Sequence, residues 1–84
     1  MKDIYDQARE LTDTTRQAQY GAPEDNLGRI GALWSVYVGK DLDAHDVAVM
    51  MALVKIGRIA SGVTVKDNYV DAVAYMGLAD RLAP

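Results

Sequence analysis

The stretch that decides the fold is residues 46–75, which read DVAVMMALVKIGRIASGVTVKDNYVDAVAY. Its first part contains eight consecutive apolar residues, Val47 to Val54, and these are followed by Lys55 and Arg58. A helix that has no polar side is too apolar to lie on a surface. We therefore expect this segment to form the buried centre of the domain.

The second part of the stretch contains a polar stripe. Asp67, Asp71 and Tyr75 follow one another at intervals of four residues, a spacing that places them on one side of a helix. The link between the two parts is short, so we expect two antiparallel neighbouring helices. Lys55 and Arg58 should then lie close to the carboxylates of the stripe.

Apolar periodicity predicts an all-α fold, a compact four-helix bundle in one domain over residues 1–84. The four helices are expected at approximately residues 2–19, 24–38, 44–61 and 67–82. The predicted core stripe of the second helix is Leu27, Ile30, Trp34 and Tyr37. Its two glycines, Gly28 and Gly31, indicate that another helix or a ligand approaches closely there.

The breaks between helices have typical capping chemistry. Gly21 is suited to end the first helix, and Pro23 fits the first position of the second. Gly39 is expected to end the second helix. Asp43 is placed to cap the third helix, and Asp46 lies three residues later, where its side chain can reach back to the cap. Helix capping alone therefore explains Asp46.

Composition excludes several classes of protein. The 84 residues include no cysteine and one histidine, so disulfides and Cys-based or His-rich metal sites are excluded. The net charge of −3 argues against binding to duplex nucleic acid. No apolar run is long enough to span a membrane, and the amino terminus does not read as a signal peptide, so we expect a cytoplasmic protein. A hydrophobic content of 50% in so short a chain favours a homo-oligomer.

Two interpretations of the polar residues remain open. In the first, Lys55 and Arg58 pair with Asp67 and Asp71 in a structural network between helices. In the second, the basic residues bind phosphate oxygens, and the carboxylates bind Mg²⁺, which prefers oxygen ligands. The residues alone favour the structural network.

Three further residues extend the second interpretation. Tyr20 and Asn26 flank the first break, where an aromatic ring could stack on a ligand and an amide could recognise its polar edges. Trp34 offers a further stacking surface, although a tryptophan at this spacing is more often part of a core. Together the candidate ligand-binding residues are Lys55, Arg58, Tyr20, Asn26, Trp34, Asp71 and Tyr75.

Four segments resemble a family of small phage and prophage proteins of unknown function. They are RQAQYGAPEDN at 16–26, LWSVY at 33–37, DVAVMMALVKIGR at 46–58 and DNYVDAVAYM at 67–76. The pattern K-x-x-R followed by D-x-x-x-D-x-x-x-Y is also similar to the phage nucleotide-modification-associated domains. Those are in turn distantly similar to the MazG-type nucleoside triphosphate pyrophosphohydrolases, which implies an all-α, oligomeric, MazG-like fold.

The MazG resemblance implies a metal site only in part. MazG-type enzymes bind Mg²⁺ through an E-x-x-E motif and an E-x-x-D motif on neighbouring helices. Asp67 and Asp71 approximate the second motif, with a spacing of four instead of three. The first motif is unmatched, because the third helix offers Asp46 alone. If the chain is an enzyme, its metal ligands are expected to be Asp46, Asp67 and Asp71.

These features favour nucleotide binding over nucleotide turnover. The expected function is that of a phage-type protein that binds a nucleotide, or a nucleotide-derived immune signal of the host, in a pocket between subunits. One alternative is a Mg²⁺-dependent (d)NTP pyrophosphohydrolase. A second alternative is a non-catalytic helical interaction protein. Neither a membrane nor duplex nucleic acid is an expected partner.

Overall fold

A computed structural model describes residues 2–12, 21–62 and 65–84 of the chain. Within these ranges the secondary structure is all helical, without strands, which confirms the predicted all-α class. The helices are α1 (Ile4–Glu10), α2 (Pro23–Val38), α3 (Ala44–Ala60) and α4 (Lys66–Leu82). None of these helices combines the length and the apolar character that crossing a membrane requires.

The helix ends follow from local chemistry. The first helix starts at Ile4, not at residue 2, because the Asp3 carboxylate accepts a hydrogen bond from the backbone N–H of Asp6 and caps the helix. Residues 13–19 of the predicted first helix lie outside the described residues. Pro23 occupies the first turn of α2, and Gly39 ends that helix with a left-handed φ of 80°.

The start of α3 confirms the predicted capping box. The Asp43 carboxylate accepts a hydrogen bond from the backbone N–H of Asp46 at 2.8 Å, and the Asp46 carboxylate accepts one from the backbone N–H of Asp43 at 3.0 Å. Both carboxylates therefore satisfy donors that a helix start leaves without partners.

Helices α3 and α4 form an antiparallel pair that organises the described chain. Val47 and Ala48 near the start of α3 pack in one cluster with Ala79 near the end of α4. Further along the pair, Lys55 of α3 meets Asp71 of α4. Helix α2 adds Leu27 to the first cluster. Helix α1 packs on α4 in a second cluster, formed by Ala8, Val70 and Ala74.

The turn from α2 to α3 is held by close backbone contacts. A Cβ on Gly31 would lie 2.7 Å from the carbonyl oxygen of Leu42, so only glycine fits there. One turn later, the hydroxyl of Ser35 accepts a hydrogen bond from the backbone N–H of Leu42 at 2.8 Å. The predicted close approach is therefore present at Gly31. At Gly28 a Cβ would meet nothing within 4 Å.

Two expectations about the core are wrong. The buried apolar residues in the described chain are mostly alanines, and the largest fully buried side chain is Val47. Leu53, Val54 and Ile56 of α3 are exposed, so one side of this apolar helix faces outward. Tyr37 is 94% exposed, because the last turn of α2 extends beyond the cluster that covers Leu27.

Candidate functional site

The predicted polar stripe forms one ion pair between α3 and α4. The Lys55 Nζ atom lies 3.1 Å from Asp71 Oδ2, and only 13% and 20% of the two side chains are exposed. Removing one partner from a pair this far withdrawn from water leaves an uncompensated charge, which costs more stability than breaking a surface pair. This contact is the one that the structural-network interpretation of the sequence predicts for these two residues.

The other half of that network is not formed. Arg58 and Asp67 lie toward the turn between α3 and α4, and both are exposed. In the described part of the chain neither side chain takes part in an ion pair. The Arg58 guanidinium is therefore open to an anion from outside the chain.

The predicted stacking residues lie in different places. Tyr75 lines a small cavity of about 30 Å³ next to Asp71 and Leu11, too small for a base. Trp34 lines an apolar groove of about 290 Å³ between α2 and α3. The other residues of this groove, called here the aromatic groove, are Tyr37, Val38 and Met50.

Asn26 is separate from both the ion pair and the aromatic groove. It lies in the first turn of α2, beside Leu27, which packs against Val47 and Ala48. Along α3, that contact is about 10 Å from the level of Lys55. Tyr20 lies outside the described residues. The other six predicted ligand-binding residues thus do not share one pocket within the described chain.

The three predicted metal ligands are also separated. Asp46 lies in the first turn of α3, whereas Asp67 lies in the first turn of α4, at the opposite end of the antiparallel pair. The carboxylates and imidazole that do come together in the described chain belong to Asp43, His45 and Asp46. Hydrogen bonds from the Asp46 backbone are the main cause of a lowered pKa at Asp43. These two carboxylates cap α3, so the cluster is explained without a metal.

One groove among the described residues was not predicted. It is a groove of about 360 Å³ between α1 and α4. Tyr5 and Arg9 of α1, with Thr12 just beyond that helix, line one side, and Gly77 and Arg81 of α4 line the other. The spacing of Tyr5, Arg9 and Thr12 was a usable signal, because intervals of four and three residues place side chains on one helix face.

Comparisons with known proteins identify the family. The family model described as "Domain of unknown function (DUF6378)" matches residues 3–83. The "Gene 55 protein" of Mycobacterium phage D29 is 32% identical over 81 residues, covering 96% of this chain and 54% of the phage protein. The "Gene 55 protein" of Mycobacterium phage L5 is 36% identical over 76 residues, covering 89% of this chain and 49% of that protein.

The chain therefore spans about half the length of the curated relatives it matches. No solved structure matches it. The match over nearly all of its residues, together with two phage relatives that share about a third of them, shows that this chain belongs to the DUF6378 family of phage-like proteins.

Proposed function

We propose that this protein binds a nucleotide, or a nucleotide-derived immune signal, in a pocket between subunits of a homo-oligomer. It holds the ligand without hydrolysing it, and in a phage-infected cell this would sequester the ligand in the host cytoplasm. A MazG-like relationship of the helical bundle is part of the proposal.

The observation that carries the proposal is an open arginine on the same strip of α3 as an aromatic groove. Met50, Val54 and Arg58 follow one another at intervals of four residues, so they lie on one side of the helix. Met50 lines the aromatic groove with Trp34 and Tyr37. A nucleotide combines an aromatic ring with phosphate, and this strip offers an apolar aromatic surface and a guanidinium.

The positions of the carboxylates favour a binder over a hydrolase. A Mg²⁺-dependent pyrophosphohydrolase would need Asp46, Asp67 and Asp71 around one ion. Two of these groups already have other contacts: Asp46 caps α3, and Asp71 pairs with Lys55. The helical interaction protein remains the second alternative, and the Lys55–Asp71 pair is the observation that supports it.

A thermal-shift panel tests the proposal. The ligands are the ribo- and deoxyribonucleoside triphosphates and a cyclic dinucleotide. A ligand at a hundredfold excess over its dissociation constant stabilises the folded state by about 2.7 kcal/mol, which for a domain of this size raises Tm by roughly 15 °C. If no member of the panel raises Tm, the protein does not bind nucleotides and the interaction-protein alternative stands.

A variant pair tests the role assigned to Arg58. Arg58→Ala should lose most of the ligand-induced rise in Tm, whereas Arg29→Ala, which removes an exposed arginine from α2, should keep it. Equal losses in the two variants would indicate a general charge effect and would remove Arg58 from the site.

Chromatography of the bound ligand separates the binder from the enzyme. After incubation with Mg²⁺, the stabilising nucleotide should be recovered intact from the denatured protein. Release of pyrophosphate at a rate that depends on Asp67 and Asp71 would replace the proposal with the hydrolase.

A further inference from the structure

The outward side of α3 carries an apolar stripe with the spacing of a helix–helix contact. Its members are Met50 and the residues three, four and seven positions after it, Leu53, Val54 and Gly57. Leu53 is 58% exposed, and Val54 and Gly57 are exposed as well. We call this set the α3 stripe.

The α3 stripe is symmetric about its own midpoint, between Leu53 and Val54. When a second α3 lies antiparallel across that midpoint, Met50 meets Gly57 and Leu53 meets Val54. Each large side chain is then opposite a smaller one, and the same surface serves both chains, as a two-fold interface requires. The fold of a single chain gives no reason for Gly57, since a Cβ there would meet nothing within 4 Å. An exposed glycine inside a helix costs about 1 kcal/mol relative to alanine.

The extent of the apolar surface also fits a second copy of this chain. The α3 stripe continues across the aromatic groove to Tyr37 and Val38, two exposed side chains of α2. A standard-sized interface buries about 800 Å² on each partner, so a second copy has to cover the α3 stripe and these α2 side chains together.

We infer that two copies pair through antiparallel α3 helices, and that Arg58 of the partner subunit completes the aromatic groove. Within one chain, Arg58 lies eight residues from Met50, which is about 12 Å along the helix axis and beyond the reach of one side chain. The two-fold axis places Arg58 of the partner subunit at the level of Val49, next to Met50, on the flank that faces α2.

The shared site takes an aromatic anion of the nucleotide class. The ring lies in the aromatic groove of one subunit, against Trp34 and Tyr37, and the phosphate binds Arg58 of the partner subunit. The identity of this ligand rests on the proposed function. The pairing of the α3 helices does not depend on any ligand, so the two can fail separately.

The mass of the free protein in solution tests the pairing. The wild type should sediment as a dimer of the 9.2 kDa chain at micromolar concentration. Leu53→Glu places a charge at the centre of the interface and should raise the dimer dissociation constant at least about 100-fold.

The matched control for this measurement is Ile56→Glu. Ile56 is 49% exposed on the same helix but lies about 110° away from the centre of the α3 stripe. This variant should remain dimeric. A monomeric wild type would overturn the inferred pairing, and so would equal weakening by Leu53→Glu and Ile56→Glu.

Complementation between two defective chains tests the shared site. Tyr37→Ala and Arg58→Ala should each abolish stabilisation by the nucleotide that stabilises the wild type in the panel. Co-expression of the two variants should restore about a quarter of the sites, because a mixed dimer has one site with both residues intact. No recovery in a mixture that is shown to contain mixed dimers would overturn the shared site.

The outcomes distinguish the two proposals. If the dimer forms and depends on Leu53 but no nucleotide stabilises it, the pairing stands and the proposed function fails together with the shared site. If a nucleotide stabilises a monomeric wild type, nucleotide binding stands, but the pairing and the position of the pocket between subunits both fail.

Discussion

The two sides of α3 differ in the size of the side chains they present. The inward side buries Val47, Ala48 and Ala52, and the first two pack with Leu27 of α2 and Ala79 of α4, so this side of α3 meets its neighbours through small residues. The outward side carries Leu53 and Val54, which are larger and exposed. Burying a side chain of that size contributes about 1.5–3 kcal/mol, so this free energy is not used within the single chain. An apolar run without a polar side can therefore contain two separate packing surfaces.

The largest effect on stability is expected at Gly31, and Gly57 on the outward side of α3 is the position compared with it. Gly31→Ala should lower the free energy of unfolding by roughly 3 kcal/mol, because the new Cβ would lie 2.7 Å from the carbonyl oxygen of Leu42 and this backbone cannot easily move. Gly57→Ala meets no atom of its own chain. Urea denaturation of both variants measures the difference.

The response of Gly57→Ala depends on the oligomeric state. In a monomer it should raise stability by about 1 kcal/mol, because alanine favours a helix more than glycine does. In the inferred dimer the added methyl group meets Met50 of the partner subunit, so the variant should dissociate at a higher concentration than the wild type. Gly77→Ala, another open helical position, is the control that should gain stability in either case.

A smaller effect is expected at the one ion pair on the inward side of α3. Lys55→Ala leaves the largely buried Asp71 carboxylate without its partner and should cost about 2 kcal/mol, less than a fully buried pair because both groups retain some water. The double variant Lys55→Met with Asp71→Leu should recover most of this loss. Chemical denaturation of the single and double variants completes the cycle.

The same double variant sharpens the role of Lys55. If the lysine is structural, the double variant folds, and the nucleotide that stabilises the wild type still raises the Tm of the double variant. Loss of that rise in a folded double variant would show that Lys55 contributes to ligand binding in addition to Arg58. A double variant less stable than either single one would contradict the packing argument.

The sequence predicted the features that depend on neighbouring residues. The capping box of Asp43 and Asp46, the start of α2 near Pro23 and its end at Gly39 were predicted, because each is decided within one helical turn. The antiparallel arrangement of α3 and α4 followed from the short link between them.

The sequence did not predict which side of each helix would be buried by the rest of the chain. Periodicity cannot distinguish the sides of a helix that is apolar all round, so the exposure of Leu53 was unexpected. In the same way, Tyr37 has the spacing of the α2 core stripe, but its side chain lies beyond the helices that cover the rest of the stripe. The groove between α1 and α4 combines Tyr5 with Arg81, 76 positions later in the chain, and no local pattern joins them.

The smallest effect on stability is expected at the cap of α3, which belongs to neither the inward nor the outward side of the helix. The hydrogen bond from the Asp46 backbone lowers the pKa of Asp43 below its ordinary value of 3.8. The contribution of this carboxylate to stability is therefore fully present above that value and is lost as the pH falls through the lower pKa of the folded state. Asp43→Asn keeps a side-chain oxygen that can cap the helix and removes the titrating charge. Between about pH 5 and pH 2 the free energy of unfolding of the wild type should fall more steeply than that of Asp43→Asn. Parallel curves would mean that acid destabilises the protein through groups other than Asp43, and that a neutral cap stabilises the start of α3 equally well.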